Sequence, residues 1–250
     1  MLLECDRISK RFGGVHAVAE LDLAIAPGQV FGLIGPNGAG KTTLVNLISG
    51  YLRADGGAIR FAGADVTRLA PHALTARGIA RTFQGVRLFK GLTALENVLV
   101  GRHTRMRSDV LRRLWPRGVP DRSDRERAGQ LLERLGLRRP DALAGGLAYG
   151  DQRRLEIARA LASEPRLLIL DEPAAGMNPA ESMRLRELMR ALIADGLTIV
   201  LIEHDVRLVM DTCERVAVLN FGRKIAEGTP SEIQASPAVR EAYLGSEDAA

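Results

Sequence analysis

The sequence predicts an α/β fold with a mainly parallel sheet, preceded by an antiparallel β subdomain and interrupted by an inserted helical subdomain. Three observations carry that expectation. The apolar run Val30–Ile34 leads into Gly35-Pro36-Asn37-Gly38-Ala39-Gly40-Lys41-Thr42-Thr43, and this glycine-rich stretch opens an apolar-periodic segment ending near Gly50. That order reads as strand, loop and helix. Two further runs, within 166–170 and 198–202, are apolar without alternation, the pattern of strands covered on both faces. From Thr93 to Arg134 a three-to-four spacing takes over, through Leu95, Val98 and Leu99, then Leu111, Leu114 and Trp115, then Leu131, Leu132 and Leu135.

A chain of 250 residues with 46% hydrophobic content can bury one α/β core and carry an insertion. The expected division of this single domain, 1–250, is residues 1–90 and 160–230 as the core with its β subdomain. The insertion is 91–159, and the C-terminal helix and tail are 231–250. Cys5 and Cys213 are too few for a disulfide framework and have no metal-ligand spacing, so both read as incidental thiols in a reducing compartment. No apolar run approaches the ~18 residues that cross a bilayer, and the first residues lack a signal-peptide pattern, which predicts a cytoplasmic protein. Nine arginines lie between Arg102 and Arg127 against Asp109, Asp121, Asp124 and Glu126, and this one patch accounts for the whole net charge of +5. The patch fits either a solvated helix face or a surface for an acidic or membrane partner. Trp115 stands alone in it, without the interleaved aromatics that stack on nucleic acid.

In chain order, residues 2–8 alternate as a first strand, Lys10 to Gly14 form a turn, and Val15–Ile25 is a second strand antiparallel to the first. Phe12 fits two roles: a platform for a flat ring such as adenine, or a plug beneath the turn. The glycines of the 35–43 loop let successive backbone N–H groups converge on an anion, and the following helix adds its positive end. Lys41 supplies an ammonium for outer phosphates and the Thr42 hydroxyl an oxygen for a bridging magnesium ion, which makes this a triphosphate site. Gly56-Gly57 precede a strand at 58–62, a helix covers Pro71–Arg77, and residues 79–84 read as a strand ending in Gln84, whose carbonyl suits magnesium or a water. Pro116 to Pro120 break the insertion.

Leu147-Ala148-Tyr149-Gly150-Asp151 is a glycine-containing turn before a helix over 153–162, a second anion site without a lysine. Two such sites and one nucleotide suggest a pair of chains. The 166–170 strand ends in Asp171-Glu172, where Asp171 suits magnesium through water and Glu172 suits polarising an attacking water. A turn over 174–179 precedes a helix at 180–194, and the 198–202 strand ends in Glu203-His204-Asp205. His204 would lie on the edge shared by Lys41 and Glu172, in reach of a terminal phosphate. His16, His72 and His103 read as surface residues. Residues 216–227 form a final hairpin, 231–244 a short helix, and 245–250 a polar end.

The phosphate loop, Gln84, the 148–152 turn, Asp171-Glu172 and His204, in this order along the whole chain, resemble the ATP-binding subunits of ABC transporters. The resemblance implies a P-loop NTPase core of RecA-like type. It also implies that the 147–151 turn is the signature that reaches across a head-to-tail dimer to the other subunit's ATP, and that Phe12 is the adenine-stacking aromatic. The catalytic set is then Glu172, His204 and Lys41, with ATP held by Phe12 and Gly35 to Thr43 and Mg2+ by Thr42, Gln84 and Asp171.

A narrower likeness, to the LivG-like subunits of branched-chain amino-acid importers, rests on Arg81-Thr82-Phe83-Gln84 with Arg87-Leu88-Phe89, Leu147-Ala148-Tyr149-Gly150, Arg153 to Arg159, Ala174 to Pro179, and the ending Glu241-Ala242-Tyr243-Leu244-Gly245. It implies a second ABC ATPase subunit, either a paralogue or another copy of this chain, with two permeases, an external solute-binding protein and the cytoplasmic face of a bacterial inner membrane, and no nucleic acid. Gln84 and the helical subdomain would receive the permeases. Two departures stand out: Ala148 replaces the general signature's serine, and Asp151 stands where glutamine is expected, a carboxylate near a triphosphate unless Arg154 compensates. The alternatives are a lipopolysaccharide-export ATPase and a soluble non-transport ABC ATPase.

Overall fold

The computed structural model describes residues 1–105 and 122–244. The first two strands, β1 (Leu3–Phe12) and β2 (Val15–Ile25), form a hairpin closed by Gly13-Gly14 alone, so the first strand runs four residues past the expected end and Lys10 to Phe12 belong to it. The apolar strand β3 (Val30–Ile34) feeds the glycine-rich loop and α1 (Lys41–Ile48). Next come β4 (Gly56–Phe61), β5 (Ala64–Asp65), α2 (Pro71–Arg77) and β6 (Ile79–Arg81). β6 is three residues long, so Gln84 sits in the irregular stretch beyond it rather than at a strand end.

The second half supplies β7 (Leu167–Asp171), β8 (Thr198–Ile202), β9 (Arg215–Asn220) and β10 (Arg223–Gly228). One sheet is antiparallel, in the order β2-β1-β4-β5, and the other has the order β10-β9-β3-β8-β7-β6. In the larger sheet β9, β3, β8, β7 and β6 are parallel and only β10 is antiparallel. Its central strands lack polar alternation because both faces are covered. Leu167, Ile169, Val200 and Ile202 join Phe31 and Leu33 in a core shared with the antiparallel sheet and α1, while Leu168, Leu170, Ile199 and Leu201 point into a second core under the helices.

The helical side begins with α3 (Ala94–Gly101), started by a capping box between Thr93 and Glu96, followed by a 3₁₀ turn at Arg102–Thr104, then α4 (Arg122–Arg134) and α5 (Tyr149–Leu161). The arginine patch is not one solvated face: Arg102 is buried, with Nε 3.1 Å from Asp124 and Nη1 3.1 Å from Glu164, and Arg105 Nε donates to Ser163 O at 2.8 Å. Arg122, Arg125 and Arg127 are exposed. Arg107, Arg112, Arg113 and Arg117, the apolar set Leu111, Leu114 and Trp115, and the break at 116–120 lie outside the described residues, as does the end from 245. The chain then forms α6 (Pro179–Ala194) and α7 (Val206–Thr212), and the tail is two helices, α8 (Pro230–Ala235) and α9 (Pro237–Leu244), parted at Ser236-Pro237 where one was expected.

Candidate functional site

Strand order builds the site. Because β3, β8, β7 and β6 are neighbours running in one direction, the residues that follow each of them emerge on one edge of the sheet. Those residues are the 35–43 loop after β3, His204 after β8, Glu172 after β7 and Gln84 after β6. They line one cleft of about 270 Å³, with Asn37 to Thr43 forming its floor and Gln84, Glu172 and His204 its wall.

Two glycines of the loop are required by geometry. Gly35 and Gly40 have φ of 150° and 101°, and a Cβ would come within 2.2 Å of Leu219 O at the first and 2.3 Å of Ala17 O at the second. No side chain caps the N-terminus of α1, so its first amides face the cleft. Lys41 is buried and arches back over the loop, Nζ donating to Gly35 O at 2.6 Å and Pro36 O at 3.0 Å. Burial pushes its ammonium below the usual lysine range, opposed by the carboxylates of Glu172 and Asp171.

Glu172 holds the cluster together. Its backbone is left-handed, with φ 50°, and its carboxylate lies between His204 Nε2, 2.8 Å from Oε1, and Gln84 Nε2, which donates to Oε2 at 2.9 Å. A non-glycine residue held at positive φ marks a site where the surroundings over-determine the backbone. The neighbouring Glu203 is buried and accepts from Ala174 N at 2.8 Å, and burial raises its carboxyl. Asp171 lies beneath the cleft, its Oδ2 2.8 Å from Arg81 Nη2. Arg81 in turn donates from Nη1 to Asn46 Oδ1 at 2.6 Å and Ser49 Oγ at 3.0 Å, joining α1 to β7. The sequence names Arg81 only within the 81–84 stretch and gives no sign of its pairing with Asp171; its one signal is a lone charge in a short apolar strand.

The other expected site residues lie elsewhere. Phe12 ends β1 with its ring about half exposed and Lys10 Nζ 5.5 Å from its centroid, so it plugs no core. Leu147 to Asp151 are not walls of the cleft. The helix expected over 153–162 starts four residues earlier: Ala148 is its N-cap, Tyr149, Gly150 and Asp151 form its first turn, and no side chain caps it. Asp151 pairs with Arg154, the compensation that its charge requires. His16, His72 and His103 are exposed, and both cysteines are buried free thiols raised by burial, Cys5 to about 12.

Residues 18–175 match the family model described as ABC transporter, and residues 223–249 match one described as branched-chain amino acid ATP-binding cassette transporter. The chain is 44% identical over 249 residues, 98% of both chains, to BraF, the high-affinity branched-chain amino acid transport ATP-binding protein of Pseudomonas aeruginosa. Over the same span it is 43% identical to LivG of Escherichia coli K12, which carries the same description. Identity to the lipopolysaccharide export system ATP-binding protein LptB of Acidithiobacillus ferridurans is lower, 36% over 245 residues. Among solved structures, the ADP conformation of MJ1267, an ATP-binding cassette of an ABC transporter, superposes with a TM-score of 0.87 at 34% identity, covering 98% of each chain. A family model over more than half of the chain, and relatives above 40% identical along nearly all of it, place this chain in the ABC transporter family, as one of its ATP-hydrolysing ATP-binding proteins.

Proposed function

We propose that this chain energises uptake of branched-chain or related amino acids, binding and hydrolysing ATP between two cassettes that drive partner permeases. The observation that carries the paired reading is a division within the chain. Gln84, Glu172 and His204 face the phosphate loop in one cleft, while the first turn of α5 is open at its N-terminus and outside that cleft. A helix N-terminus of this length suits an anion held by another molecule. The 223–249 match and the 43–44% relatives support the amino-acid cargo over lipopolysaccharide export.

In this reading ATP lies on the 35–43 loop with adenine against Phe12, and Lys41 turns from the loop carbonyls to the outer phosphates. Mg2+ supplies charge neutralisation of those phosphates. The oxygens available fit a hard cation: the Thr42 hydroxyl, exposed at the floor of the cleft, the Gln84 carbonyl, and Asp171 through water. Glu172 orients and deprotonates the attacking water, and His204 fixes the Glu172 carboxylate and reaches the terminal phosphate. Leu147 to Asp151 contact the ATP of the other cassette. The core is 1–90 with 160–230 and the insertion 91–159; the insertion and Gln84 meet the permeases at the cytoplasmic face of the membrane, with a second ATPase subunit, a paralogue or another copy of this chain, and an external binding protein completing the importer.

Glu172→Gln tests the assignment: ATP binding is retained while turnover falls about 10²-fold or more, the size of a removed general base. Unimpaired steady-state hydrolysis overturns it. Cargo is read separately, by uptake of labelled leucine, isoleucine and valine in cells with and without the chain. Uptake that does not change on deletion overturns that part alone.

A further inference from the structure

We propose that Arg153 and Glu156 form a positioning pair that sets Gln84 against Glu172 and ties that contact to the first turn of α5. The inference rests on the paired-cassette reading above. Both side chains are almost fully buried on α5, 3% and 2% exposed, with Arg153 Nη1 3.7 Å from Glu156 Oε2. Arg153 spends its donors on the stretch that carries Gln84: Nη1 donates to Phe83 O at 2.9 Å and Nη2 to Gln84 O at 2.5 Å. Glu156 Oε1 holds the far side of the same stretch, accepting from Arg87 N at 3.2 Å.

That stretch, from 82 to 92, has no helix or strand of its own. The arginine fork therefore fixes the height of Gln84, whose amide donates to Glu172 Oε2 at 2.9 Å. The third donor, Nε, reaches Tyr149 Oη at 3.1 Å, in the turn read as contacting the other cassette's nucleotide. The Tyr149 ring also lies against Gly176, in the turn after Glu172, where a Cβ would approach the ring to 3.1 Å. One continuous path thus runs from Tyr149 through Arg153 and Gln84 to Glu172 and His204. A shift of α5 on nucleotide engagement moves Gln84 with it, so each cassette's hydrolytic cluster senses what its own signature turn touches.

A merely structural pair would do nothing that apolar side chains could not. Burial pushes the Glu156 carboxyl upward, its Oε2 has no hydrogen-bond partner among the described residues, and buried ion pairs are often replaceable by apolar residues of similar volume without loss of stability. The test compares Arg153→Met, which orphans Glu156, with Arg153→Met/Glu156→Leu, which removes the pair without an orphan charge, in the purified full chain. Arg153→Lys keeps the charge and gives up the fork. Melting temperature, ADP affinity by calorimetry, and kcat and KM for ATP are read for each. The expected result is a single variant with a lowered melting temperature and a double variant that regains it, while ADP affinity stays within about twofold in all three. The kcat of both apolar variants is expected to fall by about 10²-fold, as for a misplaced reacting group, with a smaller fall for Arg153→Lys. Recovery of kcat together with melting temperature in the double variant, or normal kcat in all three, overturns the proposal.

Glu172→Gln with ATP, run in parallel by light scattering, separates the two readings. Dimerisation there, of the chain alone or with the paralogous ATPase subunit, together with normal kcat in the pair variants overturns this inference alone, whereas a chain that stays single in both samples overturns the paired-cassette reading and the coupling with it.

Discussion

Glu172 is held at φ 50° with one carboxylate oxygen on His204 and the other on Gln84, and each contact is replaceable by a single substitution. His204→Ala removes the partner of Oε1 and leaves the phosphate loop untouched. Turnover should fall by about 10²-fold, within the range for a positioned acid–base group, with ADP affinity unchanged; a stopped-flow phosphate assay paired with calorimetry reads both. Lys41→Ala should fail at the earlier step, since it removes the ammonium buried beside the loop, and a normal ATP affinity in titration calorimetry would contradict that role. Gly40→Ala meets Ala17 O at 2.3 Å in a left-handed backbone, so it should lower the melting temperature and abolish nucleotide binding together. At this scale the sequence made legible the placement of residues fixed by local structure. Lys41, Thr42 and Glu172 follow directly from loop and strand, whereas Arg81 and Arg153 act through partners 90 and 69 residues away, which no spacing shows.

Among the elements, those with an unambiguous pattern were legible. β3, β8 and the apolar part of β7 are uniform runs because two cores cover them, and β2 and α2 have the expected bounds, the latter opened by Pro71 and closed by a left-handed Gly78. The start of α5 was misplaced because Ala148 caps without a side chain and Gly150 lies in the first turn, so no stop or start signal marks it. By contrast α3 begins at a capping box in which Thr93 Oγ1 accepts from Glu96 N at 3.2 Å and Glu96 Oε2 accepts from Thr93 N at 2.7 Å. Thr93→Ala should cost about 1 kcal/mol, read in urea unfolding. A loss near zero would show that packing of α3 on α5 sets the helix start by itself.

For the whole molecule, the parallel sheet gathers Gln84, Glu172 and His204 against the glycine-rich loop in one cleft, while the first turn of α5, proposed as a second anion site, lies outside it. Arg102 and Arg105 fasten that insertion to the end of α5 through Asp124, Glu164 and Ser163, so α3, α4 and α5 are expected to move as a unit. In the proposed reading, two cassettes arranged head to tail would supply each cleft with the turn that its own chain places elsewhere. Small-angle scattering of the purified Glu172→Gln chain, alone and mixed with the paralogous ATPase subunit, with and without ATP and Mg2+, measures this most directly. The account predicts a mass and pair-distance distribution of two cassettes with nucleotide in at least one of these samples and of one without nucleotide, and a single cassette with nucleotide in both samples would contradict it.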